Sequence, residues 1–257
     1  MRESMHHTRV IVLAAGKSTR MKSGAPKVLM SLGGKPMIAH ILHAIKASGT
    51  DPKPIIVIGH QAALIKSALG EAYEYVLQKD QLGTAHAVQI AKSLLEHRTE
   101  NVIVLYGDHP LLTAHTIKKL ETLHRTSGAT LSILTTTVPN FNDWRGTFSD
   151  FGRIVRDTQG HIQKIIEAKD ATVGELALRE VNPGFYCFRA SWLWDHLGAI
   201  KNSNAQKELY LVDLVRLAVE EGISIASAAA EPEESIGINT PEQFKLAEHF
   251  FALKKSV

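Results

Sequence analysis

The 257-residue chain has a single cysteine, Cys187, so no disulfide can close within it. Cys187 sits in the apolar run Phe185-Tyr186-Cys187-Phe188 and reads as a small core residue rather than a nucleophile. No stretch approaches the roughly 20 apolar residues that span a bilayer. Met1 to Thr8 is polar, and Val10 to Ala15 is too short for the apolar segment of a signal peptide. The expected location is therefore the cytoplasm, with no membrane partner. Charge of one sign is scarce too: a formal net charge of +3, evenly spread, calls for no nucleic acid. Among thirteen histidines there is no HExxH spacing, and Cys-x-x-Cys is impossible, so zinc is not expected. Only His109, beside Asp108, stands out among the histidines. Internal repeats, low-complexity tracts and linkers are missing as well. What remains, 44% hydrophobic and 21% charged, is the composition of one soluble globular domain.

Short apolar runs alternate with helix-length amphipathic segments over the first 140 or so residues. Strands are predicted at Val10 to Leu13, Pro54 to Ile58, Tyr75 to Leu77, Val102 to Tyr106 and Thr130 to Val138. Helices are predicted from Pro36 to Ser48, Gln61 to Leu69, Thr84 to Leu95 and Thr113 to Thr126. Continuously apolar strands argue for a parallel sheet covered on both faces, with ligands bound outside the carboxyl ends of its strands. The second half differs. Asp157-Thr158-Gln159-Gly160 separates two short apolar runs and reads as a hairpin. A strand over Glu180 to Arg189, a helix from Leu209 to Glu221, a strand over Ile223 to Ala228 and a helix from about Thr240 follow. The expected fold is α/β, with a Rossmann-like mixed, mainly parallel sheet and helices on both faces. A single domain is expected over 1–257: a nucleotide-binding half to about 140, then a substrate-binding half with the last helix.

Four segments carry chemistry. In Leu13-Ala14-Ala15-Gly16-Lys17-Ser18-Thr19-Arg20, small residues after a buried strand let backbone N–H groups approach phosphate oxygens. Arg20 and Lys27 add cations for phosphate charge; a basic surface turn is the plain alternative. This is not a P-loop, since the position five before Gly16 is Ile11 rather than glycine. Asp108 ends a strand at the rim, where one carboxylate is an ordinary anchor for Mg²⁺; a cap on the next helix is the plain alternative. Gln78 and Gln81, in the loop before Gly83 and Thr84, offer an amide donor and acceptor suited to a base edge, and a helix-capping loop explains the segment equally well. Thr240, Pro241 and Gln243 form a strong helix start, which fixes Asn239 on a loop as a turn residue or a second oxygen ligand.

Taken together, LAAGKSTRM, LQKDQLGTAHA, YGDHPL, DFGRI, IIEAKDA, EVNPGFY, ELYLVD and GINTPEQ, in that order, resemble the pyrophosphorylase half of bacterial N-acetylglucosamine-1-phosphate uridyltransferases from Val10 to about Phe250. The resemblance implies a fold of the nucleotide-diphospho-sugar transferase type. It implies nucleotide binding by Leu13, Ala14, Ala15, Gly16, Lys27, Gln78, Gln81, Gly83 and Thr84, with Arg20 and Lys27 catalytic. Tyr106, Gly152, Glu167 and Asn182 match positions that shape the sugar pocket, and Asp108 and Asn239 match the Mg²⁺ pair. UTP and N-acetylglucosamine 1-phosphate are the implied substrates. Two departures bear on the sugar: Asn182-Pro183-Gly184 stands where the family usually has Asn-Thr-Gly, and Val212 where it often has threonine. A different sugar phosphate, CTP in place of UTP, or a silent nucleotide-binding homologue are the alternatives. The bifunctional members continue into hexapeptide repeats that form an acetyltransferase. This chain lacks them, so it is expected to be a free-standing or truncated uridyltransferase that acetylates nothing.

Overall fold

A computed structural model describes residues 6–16, 21 and 24–255. The strands are β1 (His6–Ala14), β2 (Ser31–Leu32), β3 (Lys35–Pro36), β4 (Ile55–Ile58), β5 (Glu74–Leu77), β6 (Thr99–Tyr106), β7 (Leu131–Thr137), β8 (Gly152–Arg156), β9 (Ile162–Ile166), β10 (Glu180–Arg189) and β11 (Ala226–Ala229). The α-helices are α1 (Met37–Ser48), α2 (Ala62–Leu69), α3 (Thr84–Ile90), α4 (Lys92–Leu95), α5 (Ala114–Ser127), α6 (Val173–Leu176), α7 (Ala190–His196), α8 (Asp213–Glu220) and α9 (Pro241–Lys255). Nine strands make one sheet in the order β11-β7-β10-β6-β1-β4-β5, with β8 on β10 and β9 on β8. Among the described residues, no helix is long and apolar enough to cross a membrane.

Successive residues of β1 point to opposite faces. Val10, Val12 and Ala14 pack with Ile38, Ile41 and Leu42 of α1 and Ile117 and Leu120 of α5. Ile11 and Leu13 pack on the other face with Ala85 and Val88 of α3, Leu193 of α7, and Leu214 and Val215 of α8. Burial on both faces is why this strand carries no polar alternation. A third apolar cluster joins Leu32, Met37, Phe148, Ile236, Ile238 and Ala247 of α9. Cys187 is buried in β10, as its apolar run implies.

Strand direction decides where the site lies. β1 runs parallel to β4 and β6, and β4 to β5. β10 is antiparallel to both β6 and β7. The start of β10 therefore meets the carboxyl ends of β1, β5 and β6 on one rim. It is also why the two halves share one sheet: a strand from the second half sits between β6 and β7 of the first. At that start the β10–β7 register shifts between Val181 and Phe185, a bulge that contains Asn182, Pro183 and Gly184.

Three local expectations need correction. The helix expected from Leu209 begins only at Asp213. The backbone before it is engaged elsewhere: Leu209 N donates to Leu82 O (2.8 Å), Ala85 N to Leu209 O (2.9 Å), and Leu211 N to Thr84 Oγ1 (2.9 Å). Tertiary hydrogen bonds to the loop ahead of α3 thus override helical periodicity. The helix expected over Thr84 to Leu95 breaks at Ala91 into α3 and α4, where Ala91 N tightens onto Val88 O (3.1 Å). The strand expected from Ile223 shortens to Ala226–Ala229, and α7 was not anticipated.

Candidate active site

Two hollows open side by side on the rim. The first, of about 470 Å³, is lined by Leu13, Ala14, Ala15, Gly16, Lys27, Gln78, Gln81, Gly83 and Thr84, every described residue expected on the nucleotide side. Arg20 lies outside the described residues. The second, of about 440 Å³, is lined by Tyr106, Gly152, Glu167 and Asn182, the four residues expected on the sugar side. Thr84, Tyr106, Asp108 and Glu208 belong to both walls. Each volume falls in the range that takes one small-molecule moiety, so the pair suits two substrates meeting at a shared edge.

At that edge three side chains converge. Lys27 Nζ donates to Asp108 Oδ2 at 2.6 Å and to Asn239 Oδ1 at 2.6 Å. Burial alone would raise the Asp108 carboxyl, but Lys27 and His109 outweigh it and hold the group well below the usual carboxylate range. It is therefore an anion at neutral pH. Asp108 does not cap the following helix; Thr113 does, its side chain accepting from Thr116 N. Asn239 is set by the reciprocal capping expected of Thr240 and Gln243: Gln243 N donates to Thr240 Oγ1 (3.3 Å), and Gln243 Oε1 accepts from Thr240 N (3.0 Å) and Asn239 N (2.7 Å). Ile238 N donates to Asp108 O at 3.0 Å, which ties the Asn239 loop to the end of β6.

Two hard oxygens that share one cationic neighbour are a donor set that fits a small oxygen-seeking divalent ion completed by phosphate and water. Among the described residues no group of three or more His, Cys, Asp or Glu is placed to hold a metal.

The glutamine loop is arranged differently from the expectation. Gln78 is buried, and its Nε2 donates to Gly83 O (3.1 Å) and pairs with His86 Nδ1 (3.1 Å). Gln81 Nε2 donates to Gln78 O (3.0 Å) and Lys79 O (3.2 Å). Both amides commit N–H groups to shaping their own loop, so a base edge would meet chiefly their carbonyl oxygens. Gly83 serves a second close approach besides the expected one to ligand. At φ +114°, a Cβ there would stand 2.5 Å from Leu209 O and 2.7 Å from Leu209 N.

The second hollow is acidic. Glu167 is pushed up to about 7, first by burial and then by the charges of Asp170 and Asp213. Asn182 is held inside its bulge: Gly184 N donates to its Oδ1 (3.0 Å), and its Nδ2 donates to the Tyr186 hydroxyl. Gly184, at φ +87°, passes so close to Tyr106 that a Cβ would lie 2.5 Å from the ring. Asp150, Lys169, Glu208 and Tyr210, which fall inside motifs of the resemblance but were given no site role, line the same hollow, as does Gln206, which falls in none of them. The conformation of the 208–212 segment depends on backbone docking to Leu82, Thr84 and Ala85, which its helix-like pattern does not signal.

The comparisons agree with this geometry. The model of the MobA-like NTP transferase domain matches residues 10–207. The chain is 40% identical over 248 residues to a protein named bifunctional protein GlmU from Shouchella clausii, covering 96% of this chain and 52% of that one. It is 37% identical over 249 residues to the GlmU protein of Desulfotalea psychrophila, covering 96% of this chain and 71% of that one. A third, from Heliobacterium modesticaldum, is 42% identical over 245 residues, with 95% and 52% covered. The chain thus spans about half the length of two of these relatives and more of the other. In fold it is similar to a UDP-glucose pyrophosphorylase complexed with UDP-glucose, at TM-score 0.75 and 17% identity, covering 96% of this chain and 99% of that one. A CMP:2-keto-3-deoxy-manno-octonic acid synthetase complexed with CTP follows at TM-score 0.68 and 16% identity, with the same coverage. With its matching domain model, its rim-centred double hollow and these relatives, the chain belongs to the MobA-like NTP transferase domain family.

Proposed function

We propose that the chain transfers a uridylyl group from UTP to N-acetylglucosamine 1-phosphate, forming UDP-N-acetylglucosamine and pyrophosphate. The observation that carries this reading is the meeting of Lys27, Asp108 and Asn239 at the junction of the two hollows. An oxygen of the sugar phosphate attacks the α-phosphorus of UTP in line; the bond from that phosphorus to the bridging oxygen breaks, and pyrophosphate leaves with the electron pair. A phosphate monoester loses its second proton at about 6, so the attacking group is already largely dianionic and needs no base. The site has to supply orientation and relief of charge.

The backbone of Ala14, Ala15 and Gly16 cradles the triphosphate, and Lys27, with Arg20 as the resemblance implies, balances its charge. Asp108 and Asn239 are the residues that would hold Mg²⁺, which would supply positive charge to offset that of the phosphates. Lys27, which lies against the same two oxygens, would add its charge to that of the ion at this edge. Tyr106, Gly152, Glu167 and Asn182 shape the wall for the sugar.

Pyrophosphate release from UTP and N-acetylglucosamine 1-phosphate, with and without Mg²⁺, tests the reading. Metal-dependent release is expected; no release with any pairing in a panel of UTP, CTP and hexose phosphates would overturn it. Pro183 and Val212, both on the acceptor wall, favour another hexose phosphate as the second reading, and the same panel separates the two.

A further inference from the structure

His109 has no part in the reaction just described. It is 5% exposed and its ring stands edge-on to Phe185, with centroids 5.2 Å apart at 76°. Its Nδ1 lies 3.0 Å from Asp108 Oδ1, while Lys27 Nζ donates to Asp108 Oδ2. An ionised carboxylate only accepts, so Nδ1 carries the proton. Nε2 is buried and has no hydrogen-bond partner among the described residues. That nitrogen faces Gly237: a Cβ there would lie 3.0 Å from Nε2 and 3.1 Å from Cε1. The imidazole therefore fills the space between the loop that carries Asp108 and the loop that carries Asn239. Neither nitrogen is free to exchange protons with substrate. A hydrocarbon side chain of similar size would fill the space without stranding a nitrogen, and the imidazole's one addition is the Nδ1 donor.

We infer that His109 is a positioning residue for the metal pair: Nδ1–H holds Asp108 Oδ1 so that Oδ2 faces the ion, while the far ring edge sets the approach of the Gly237–Asn239 loop. The inference rests on the Mg²⁺ assignment proposed above. Hydrogen bonds from outside a metal's own ligands commonly alter metal affinity roughly 10- to 100-fold.

The test measures UTP binding to the full chain by calorimetry with and without Mg²⁺, and reads the gain in affinity the metal confers. His109→Leu is expected to bind UTP normally without Mg²⁺ and to lose roughly 10-fold or more of that gain. His109→Asn, which keeps a donor near the Nδ1 position, is expected to recover most of it. Gly237→Ala, which presses on Nε2 from the other side, is expected to lose part of it and serves if the leucine variant fails to fold. An unchanged gain in both His109→Leu and Gly237→Ala would overturn the inference, as would an equal loss of UTP affinity with and without metal. Asp108→Asn keeps the two failures apart: if it too preserves the gain, the metal assignment itself is wrong.

Discussion

The two hollows are built by different means. The nucleotide side is made largely of main chain: the exit of β1, the loop after β5 and the start of α3, with side chains that are small or turned inward. The acceptor side is made of side chains from a bulge, a hairpin and an irregular loop, and several of them ionise. A backbone-built site should fail through sterics and a side-chain-built one through charge. At the shared edge, Asp108 should fail through both substrates at once.

That last case has the largest expected effect. Asp108→Asn keeps the shape and removes the anion, so turnover should fall on the order of 10³-fold, with a lower melting temperature as well because Lys27 loses its buried anionic partner. Steady-state pyrophosphate release with each substrate varied in turn gives the check. A loss confined to the KM for one substrate would mean that Asp108 belongs to one hollow and that the edge is not shared.

Gly83→Ala tests the main-chain side. The added methyl meets Leu209 O and N at 2.5 and 2.7 Å, and the residue must keep φ +114°. Overpacking and backbone strain together should cost about 2–4 kcal/mol in urea unfolding. Leu209 is next to Glu208 and Tyr210 of the acceptor wall, so both KM values should rise. If only the nucleotide KM moved, the two hollows would be more independent than their common backbone suggests.

The same contrast explains what could be read from the sequence. β1, β4 and β6 are buried on both faces, so their residues are apolar without alternation, and the small residues or carboxylate at their ends announce the rim. The capping of α9 was legible because Thr240 and Gln243 are local partners, and local bonds leave local patterns. Leu209–Val212 was not legible, since its hydrogen-bond partners lie at Leu82, Thr84 and Ala85, more than a hundred positions away. The engaged amides of Gln78 and Asn182 were not legible for another reason: their partners, Gly83 and His86 for one and Gly184 and Tyr186 for the other, are near in sequence but form no recurrent motif. Residue type shows what a group can bond, and only the fold shows what already bonds it.

Glu167 carries the charge side of the comparison. The folded carboxyl releases its proton at about 7 against 4.5 for the ordinary group. Between those values the folded chain binds more protons than the unfolded one, so stability falls as pH rises through the window. Glu167→Gln, fixed in a neutral form, should match the wild type at pH 4 and exceed it at pH 8 by on the order of 2–3 kcal/mol. Urea melts at the two pH values measure the gap. A gap of the opposite sign, or none, would mean that neither burial nor the charges of Asp170 and Asp213 keep the Glu167 carboxyl neutral, and that the acceptor wall is not electrostatically distinct.

The smallest effect is expected at Val212, 7% exposed and on the acceptor wall. Val212→Thr replaces a methyl by a hydroxyl at nearly constant volume, and an unpaired buried hydroxyl costs about 1 kcal/mol. If the acceptor presents a polar group there, the hydroxyl gains a partner on binding, and the sugar-phosphate KM should fall a few-fold while the UTP KM stays fixed. If the acceptor presents only carbon at that point, the stability loss remains without any compensating change in KM. Comparing N-acetylglucosamine 1-phosphate with glucose 1-phosphate on the same variant then shows which end of the sugar lies against Val212. A UTP KM that moved with the sugar's would place this residue on the coupled edge with Asp108 rather than deep in the acceptor side.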